Sequence, residues 1–263
     1  MDDQVECIDI GANLTHKSFR QDITNVIYNA KEVGVVAMVV TGASVHSSQD
    51  AAALSANYPG TLYATSGVHP HDAKSFDDNT IETLEELLRE SQVVAVGECG
   101  LDFNRDFSPR DMQHACLEAH LELAAKCQLP LFLHERDAHP PFLDLMTRYR
   151  DRISAGVVHC FTGTADHARA YLDLDLHLGI TGWICDERRG LHLRDVVRDI
   201  PPERLLIETD APYLAPRDLR PKVHRNEPKH LPHILKTVAE CRGESPTTLA
   251  EQILQTTKDF FRI

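Results

Sequence analysis

The chain has 263 residues, a length that fits one large α/β barrel or two smaller domains. Lysine and arginine total 27 against 40 aspartates and glutamates, a formal net charge of −13. That balance argues against a protein that grips nucleic acid through a broad basic face, and a hydrophobic content of 42% with 25% charged residues argues against disordered and fibrous classes.

The chain opens on the acidic stretch MDDQVEC, with neither a basic nor a long apolar segment, so no secretory signal is expected. Strands are predicted at 5–10, 35–40, 62–67, 93–97, 131–134, 157–159, 177–181 and 205–208. Most are continuous apolar runs, the pattern of strands buried on both faces. Helical periodicity fills the intervals, as at 18–32, 79–90, 109–127 and 231–241, with Ser108 and Pro109 as N-cap and first residue of the third. The longest apolar run, near 35–40, is far short of the roughly 18 residues of a membrane span. Seven cysteines are scattered without a C-x-x-C pair, so a reduced, cytoplasmic protein is expected. About eight strand-then-helix units without a composition break predict a single-domain (β/α)₈ barrel over 1–263. An open doubly wound sheet is the alternative, but no G-x-G-x-x-G follows any strand.

Titratable and polar residues gather where the predicted strands end. Asn13 follows the first, Thr41 the second, His69 and His71 the third, and Glu98 the fourth. His134 closes the fifth, His159 the sixth, and Asp210 comes just after the eighth. In a barrel these ends form one face, where catalytic groups collect. One glutamate, two histidines and one aspartate there suit a divalent metal; a hydrogen-bonded polar plug is the alternative. His69 and His71, two apart on an extended segment, would face the same side and offer a donor to a phosphate or a water. Arg136 would face the same mouth, or else pair with Asp102 or Asp137. Arg188 and Arg189 lie after the seventh strand, and Arg217, Arg220, Lys222 and Arg225 after the eighth, in the irregular stretch 211–228. Barrels commonly bind phosphate at those loops. Pairing with Asp186, Glu187 and Asp218 is the competing account.

The segments GVHPHDAK, VAVGECGLDFNRDFSPRDMQ, PLFLHERDAH, VVHCFTGT, GITGWICDERRG and LLIETDAPYLAPRDL follow one another along the chain. Together with RNEPKHLPHI and the early DIGANLT, they resemble the TatD family of metal-dependent deoxyribonucleases, and its bacterial branch in particular. The resemblance implies a metal-dependent hydrolase barrel that cleaves phosphodiesters. Glu98, His134 and His159 would be metal ligands, with Asp210 as catalytic aspartate and further ligand. It implies a 3′→5′ exonuclease acting on single-stranded DNA, or RNA, and releasing 5′-mononucleotides. Mg²⁺ is the expected cofactor, with Mn²⁺ and Zn²⁺ as alternatives, and the protein is expected to be a monomer.

Many family members carry H-x-H after the first strand, where this chain has Gly11 and Asn13. That departure points away from a tightly held two-metal centre, since Asn13 offers only a neutral carbonyl oxygen. Restoring both imidazoles, as Gly11→His with Asn13→His, is expected to raise affinity for Zn²⁺ or Mn²⁺ unless the side chain at 11 clashes. Two rivals stand beside the nuclease. One is a barrel amidohydrolase cutting a C–N bond, the other a non-catalytic binding protein. The amidohydrolase often uses a carboxylated lysine at a strand end, and no predicted strand here ends in lysine.

Overall fold

In the computed structural model, which describes residues 5–263, the apolar runs form eight parallel strands in sequential order. They are β1 (Cys7–Ala12), β2 (Val35–Val40), β3 (Leu62–Ser66), β4 (Val93–Asp102), β5 (Leu131–Arg136), β6 (Gly156–Val158), β7 (His177–Ile180) and β8 (Leu205–Ile207). The sheet closes where the chain leaves β8. Asp210 N donates to the Gly11 carbonyl at 2.8 Å, and Asn13 N donates to the Ala211 carbonyl at 2.7 Å. Closure therefore happens at the same residues that were expected to do chemistry.

Nine α-helices are described around the sheet: α1 (Ile23–Glu32), α2 (Val45–Ala56), α3 (Asp78–Leu87), α4 (Arg110–Cys127), α5 (His139–Tyr149), α6 (Ala165–Asp173), α7 (Leu193–Asp199), α8 (Leu231–Arg242) and α9 (Pro246–Phe261). Each helix turns an apolar stripe inward; α1, for instance, buries Val26, Ile27 and Ala30. The strands are buried from both sides, by helices outside and by side chains inside. Every residue of β1 and β4 is accordingly buried.

Ile10, Val39, Ala95, Phe132, Val157 and Leu206 form a cluster separate from the one under the helices. Strand alternation then aims the residues two positions on, His134 after Phe132, His159 after Val157 and Glu208 after Leu206, to the same inner side. Apolar side chains fill the barrel, and polar ones take over at its mouth.

The elements depart from expectation at their ends. β4 runs on to Asp102 instead of stopping at Gly97, and β6 ends at Val158, so His159 is the first residue beyond it. The helix expected over 18–32 begins at Ile23, behind a short 3₁₀ turn at Lys17–Phe19. Ser108 does not cap α4. Pro109 stands at the cap position without a side-chain bond, and the Ser108 hydroxyl donates to the His71 carbonyl at 2.8 Å. That contact ties α4 to the loop that carries both histidines. The acidic start, residues 1–4, lies outside the described residues.

Candidate metal-dependent active site

One carboxylate oxygen is the focus of the barrel mouth. Glu98 Oε1 lies 2.9 Å from His159 Nε2, 3.0 Å from His134 Nδ1 and 3.2 Å from His69 Nε2. The glutamate sits inside β4, fixed by its own N–H, which donates to the Gly42 carbonyl at 2.7 Å. Burial alone would raise its carboxyl, but the imidazoles, His69 and His159 foremost, hold it well below the ordinary range. A buried carboxylate ringed by imidazoles needs positive charge at its centre, either as protons or as a cation.

The outer nitrogens of the rings show which of them can take a cation. His159 Nδ1 faces Glu208 Oε2 at 3.3 Å, and that glutamate is fully buried. A proton on Nδ1 leaves the Nε2 lone pair directed at the centre. His134 presents Nδ1 to Glu98, while its Nε2 is buried without a hydrogen-bond partner, 3.4 Å from Asp102 Oδ2. That distance suits ion pairing, though the angle makes no hydrogen bond. With its proton towards Asp102, His134 also turns a lone pair inward. Carboxylate behind imidazole behind metal is a common arrangement of such sites.

His69 behaves differently. Its Nδ1 accepts the His71 backbone N–H at 3.0 Å, so in the neutral ring the proton sits on Nε2, pointing at Glu98. Donor atoms of His69, Glu98 and His134 lie close enough together to hold an ion. The tautomer nevertheless makes His69 a proton donor, and Glu98, His134 and His159 are the better ligand set. Burial, first among its causes, lowers the His69 pKa. On His134 burial is outweighed by the Asp102 and Glu98 carboxylates, and on His159 by Glu98 and Glu208; both pKa values are raised. An imidazole-and-carboxylate donor set with directed lone pairs fits a divalent transition metal or Mg²⁺.

Asp210 faces this group from the β1–β8 seam. Its Oδ1 accepts from Asn13 Nδ2 at 2.9 Å, and burial pushes its carboxyl up to about 7. Beneath it, Asp9 Oδ1 accepts the Thr209 N–H at 2.9 Å and Asp9 Oδ2 meets the Thr209 hydroxyl at 2.5 Å. Asp9 is fully buried, and burial raises its carboxyl to about 8 against the lowering effect of those bonds. A carboxyl raised on folding gives stability that is complete below its ordinary range and lost as pH climbs to about 8. One linked proton is worth about 1.4 kcal/mol per pH unit at most. Asp9→Asn should therefore gain on the natural protein from pH 5 to pH 8 in thermal melts, then level off. A difference independent of pH would mean that Asp9 is ionised in the fold.

Asn13, His69, His71, Glu98, His134, His159 and Asp210 all line one cavity of about 420 Å³, as the sequence led one to expect. The His69–His71 segment opens a 3₁₀ turn rather than an extended run, yet the two rings still meet at 4.2 Å. His71 Nε2 reaches Asp102 Oδ2 at 2.7 Å. Arg136 lies in a neighbouring cavity and pairs with neither Asp102 nor Asp137; its guanidinium donates to the Thr162 hydroxyl at 2.8 Å. Arg188 does not line the cavity. It is held by Asp186 at 2.9 Å, and Arg189 and Arg217 lie within ion-pair distance of the same carboxylate. Arg220 donates to the carbonyls of Arg217 and Leu219 and is exposed. These loop charges are largely consumed in shaping the loops. Asp102 and Glu208, the carboxylates behind the imidazoles, were not anticipated as site residues, nor was Arg105 on the rim. Their signal was present: Asp102 continues the even-numbered alternation from Glu98, and Glu208 precedes Asp210 by two.

The sequence pattern of the TatD related DNase family matches residues 8–262. A protein of Yersinia pseudotuberculosis named 3′-5′ ssDNA/RNA exonuclease TatD is 49% identical over 97% of this chain and 99% of its own. A protein of the same name from Klebsiella pneumoniae is also 49% identical, over 97% of each chain. The crystal structure of YJJV, a TatD homologue of Escherichia coli, superimposes with a TM-score of 0.89 at 30% identity over 98% of both chains. The chain belongs to the TatD-related DNase family.

Proposed function

We propose that this protein is a 3′→5′ exonuclease that hydrolyses single-stranded DNA, and RNA, through a divalent metal held by Glu98, His134 and His159. The observation that carries the reading is the convergence of His134 Nδ1 and His159 Nε2 on Glu98 Oε1, in a cavity that Asp210 also lines. The relatives' shared name supplies the substrate class and the polarity.

A divalent cation bound there would acidify a water and offset charge on the phosphodiester. The protein's own groups do the rest. Asp210, raised to about 7, is matched to accept a proton from water near neutral pH, and Asn13 holds its carboxylate in place. His69 carries its Nε2 proton into the cavity beside Glu98 and can turn it to a non-bridging phosphate oxygen or the departing 3′-oxygen, while His71 is paired with Asp102. Glu208 orients His159, and Asp102 stands behind His134 at ion-pair distance.

With no imidazole from β1, an ion beside Asp210 would rest on oxygen ligands and water. We therefore read Mg²⁺ as the working metal, with Mn²⁺ or Zn²⁺ as substitutes. Protein purified without added metal should carry no more than about one equivalent, because Mg²⁺ dehydrates reluctantly and exchanges. Among the described residues no helix is long and apolar enough to cross a membrane. We take the protein to be a cytoplasmic monomer.

The amidohydrolase reading is weaker, since no described strand ends in lysine. Incubating the protein with 5′-labelled single-stranded DNA and Mg²⁺ decides between them. Stepwise shortening from the 3′ end, abolished by EDTA, is the expected result. An intact strand after prolonged incubation, or cleavage undiminished by EDTA, would overturn it.

A further inference from the structure

Beside the catalytic cavity, above the ends of β5, β6 and β7, lies a larger one of about 670 Å³. That volume is in the range that accepts a single organic ligand of nucleotide size. Its walls include Arg136, Thr162, Trp183, Arg189, His139 and His192. Two guanidinium groups approach the Trp183 ring, Arg189 at 4.1 Å and Arg136 at 5.3 Å from its centre.

These arginines are not equivalent. Arg189 is already paired with Asp186 at 3.1 Å. Arg136 bonds the neutral Thr162 hydroxyl, and among the described residues no carboxylate stands within ion-pair distance of it. In a chain of net charge −13, a half-buried arginine without an acidic partner leaves a place for an anion from outside. The Trp183 indole N–H is buried and also lacks a partner among the described residues. Arg136 ends β5 two residues past His134, so it stands on the same side of the strand as the metal ligand. The cavity therefore lies next to the reacting centre, with Arg136 in its wall two residues from His134 in the wall of the other.

We propose that this cavity is a nucleotide subsite, in which Arg136 pairs with a backbone phosphate flanking the one cleaved and a base packs against Trp183. The identity of the ligand rests on the phosphodiesterase reading. An indole overlaid by guanidinium groups, one of them without a carboxylate partner, suits any base that takes the place of a guanidinium on the ring, because every base has a π-face. It would give grip on a single strand without choosing sequence.

The test uses a property of the chain: Trp183 is its sole tryptophan. Glu98→Gln protein in EDTA, titrated with oligothymidylate, should show a saturable change in tryptophan emission that follows the anisotropy of a labelled oligonucleotide. Adding Arg136→Ala should weaken binding about tenfold, the scale of one charged hydrogen bond, and lower the salt slope of binding by about one. A merely structural arginine would leave that slope in place. Emission that stays constant while the oligonucleotide binds, absence of binding, or an unchanged salt slope in the Arg136 variant would overturn the subsite. The two readings fail separately. An emission change with no hydrolysis by the natural protein leaves the subsite and removes the nuclease, and hydrolysis with a silent tryptophan does the reverse.

Discussion

Glu98→Gln should lower kcat on single-stranded DNA by on the order of a thousandfold, the loss seen when one preorganised electrostatic group is removed from a buried site, while the barrel remains folded. The amide keeps the shape of the carboxylate, so the packing of β4 against β5 is not disturbed. What changes is charge and proton count. Glu98 Oε1 now receives three imidazole nitrogens within 3.2 Å. An amide oxygen offers a cation no net charge there. Were the nitrogen turned inward, its two protons would bond the unprotonated nitrogens of His134 and His159 and withdraw them from a cation. Metal affinity should fall together with rate, and elemental analysis after dialysis against Mn²⁺ would read the first independently of the second. Circular dichroism and thermal melting would confirm that the fold survives. Activity within tenfold of the natural protein would remove Glu98 from the metal site. Lost activity with undiminished metal content would make it a group that acts on substrate instead.

Much of this site was legible in the sequence because a parallel barrel converts position along a strand into position in space. Each apolar run ends at one face, so Asn13, Glu98, His134, His159 and Asp210 could be assembled without coordinates. Strand alternation alone explains why His134 and His159 share the inner side with Phe132 and Val157. What the sequence did not disclose depends on long-range partners. Asp186 gathers Arg188, Arg189 and Arg217 into one cluster, and no spacing rule distinguishes that cluster from an array awaiting phosphate. Glu208 looked like the last residue of a strand. Only when the barrel brings the residues after β6 within reach of those after β8 does it become the carboxylate behind His159 and the acceptor of the Cys160 N–H at 2.5 Å. Ser108 had every local mark of a helix cap, yet a loop from another unit supplies its partner.

Glu208 also decides what happens when imidazoles are restored to β1. A Cβ on Gly11 would overlap Glu208 Oε2 and come within 2.9 Å of Phe132 Cζ. The space that a first-strand histidine would occupy is thus filled by the carboxylate of Glu208, the residue just past β8. Gly11→His should consequently fail to create a second tight site, through the clash that the bare sequence left open. Crowding a packed interior costs about 1–3 kcal/mol. Displacing Glu208 leaves His159 Nδ1 and the Cys160 N–H unpaired, at about 1–3 kcal/mol for each buried group. The sum, on the order of 3–9 kcal/mol, corresponds to a fall in Tm of roughly 6–36 °C at about this chain length. Asn13→His alone should be tolerated, since Asn13 is only half-buried and faces the cavity. A double-mutant cycle isolates the cause. Gly11→Ala combined with Glu208→Asp, which shortens the acid away from the new methyl group, should be less destabilised than the sum of the single variants by about 1 kcal/mol. If Gly11→His instead melts close to the natural protein and binds two equivalents of Zn²⁺, Glu208 yields that space freely, and the absence of histidine from β1 would need another explanation than occupancy.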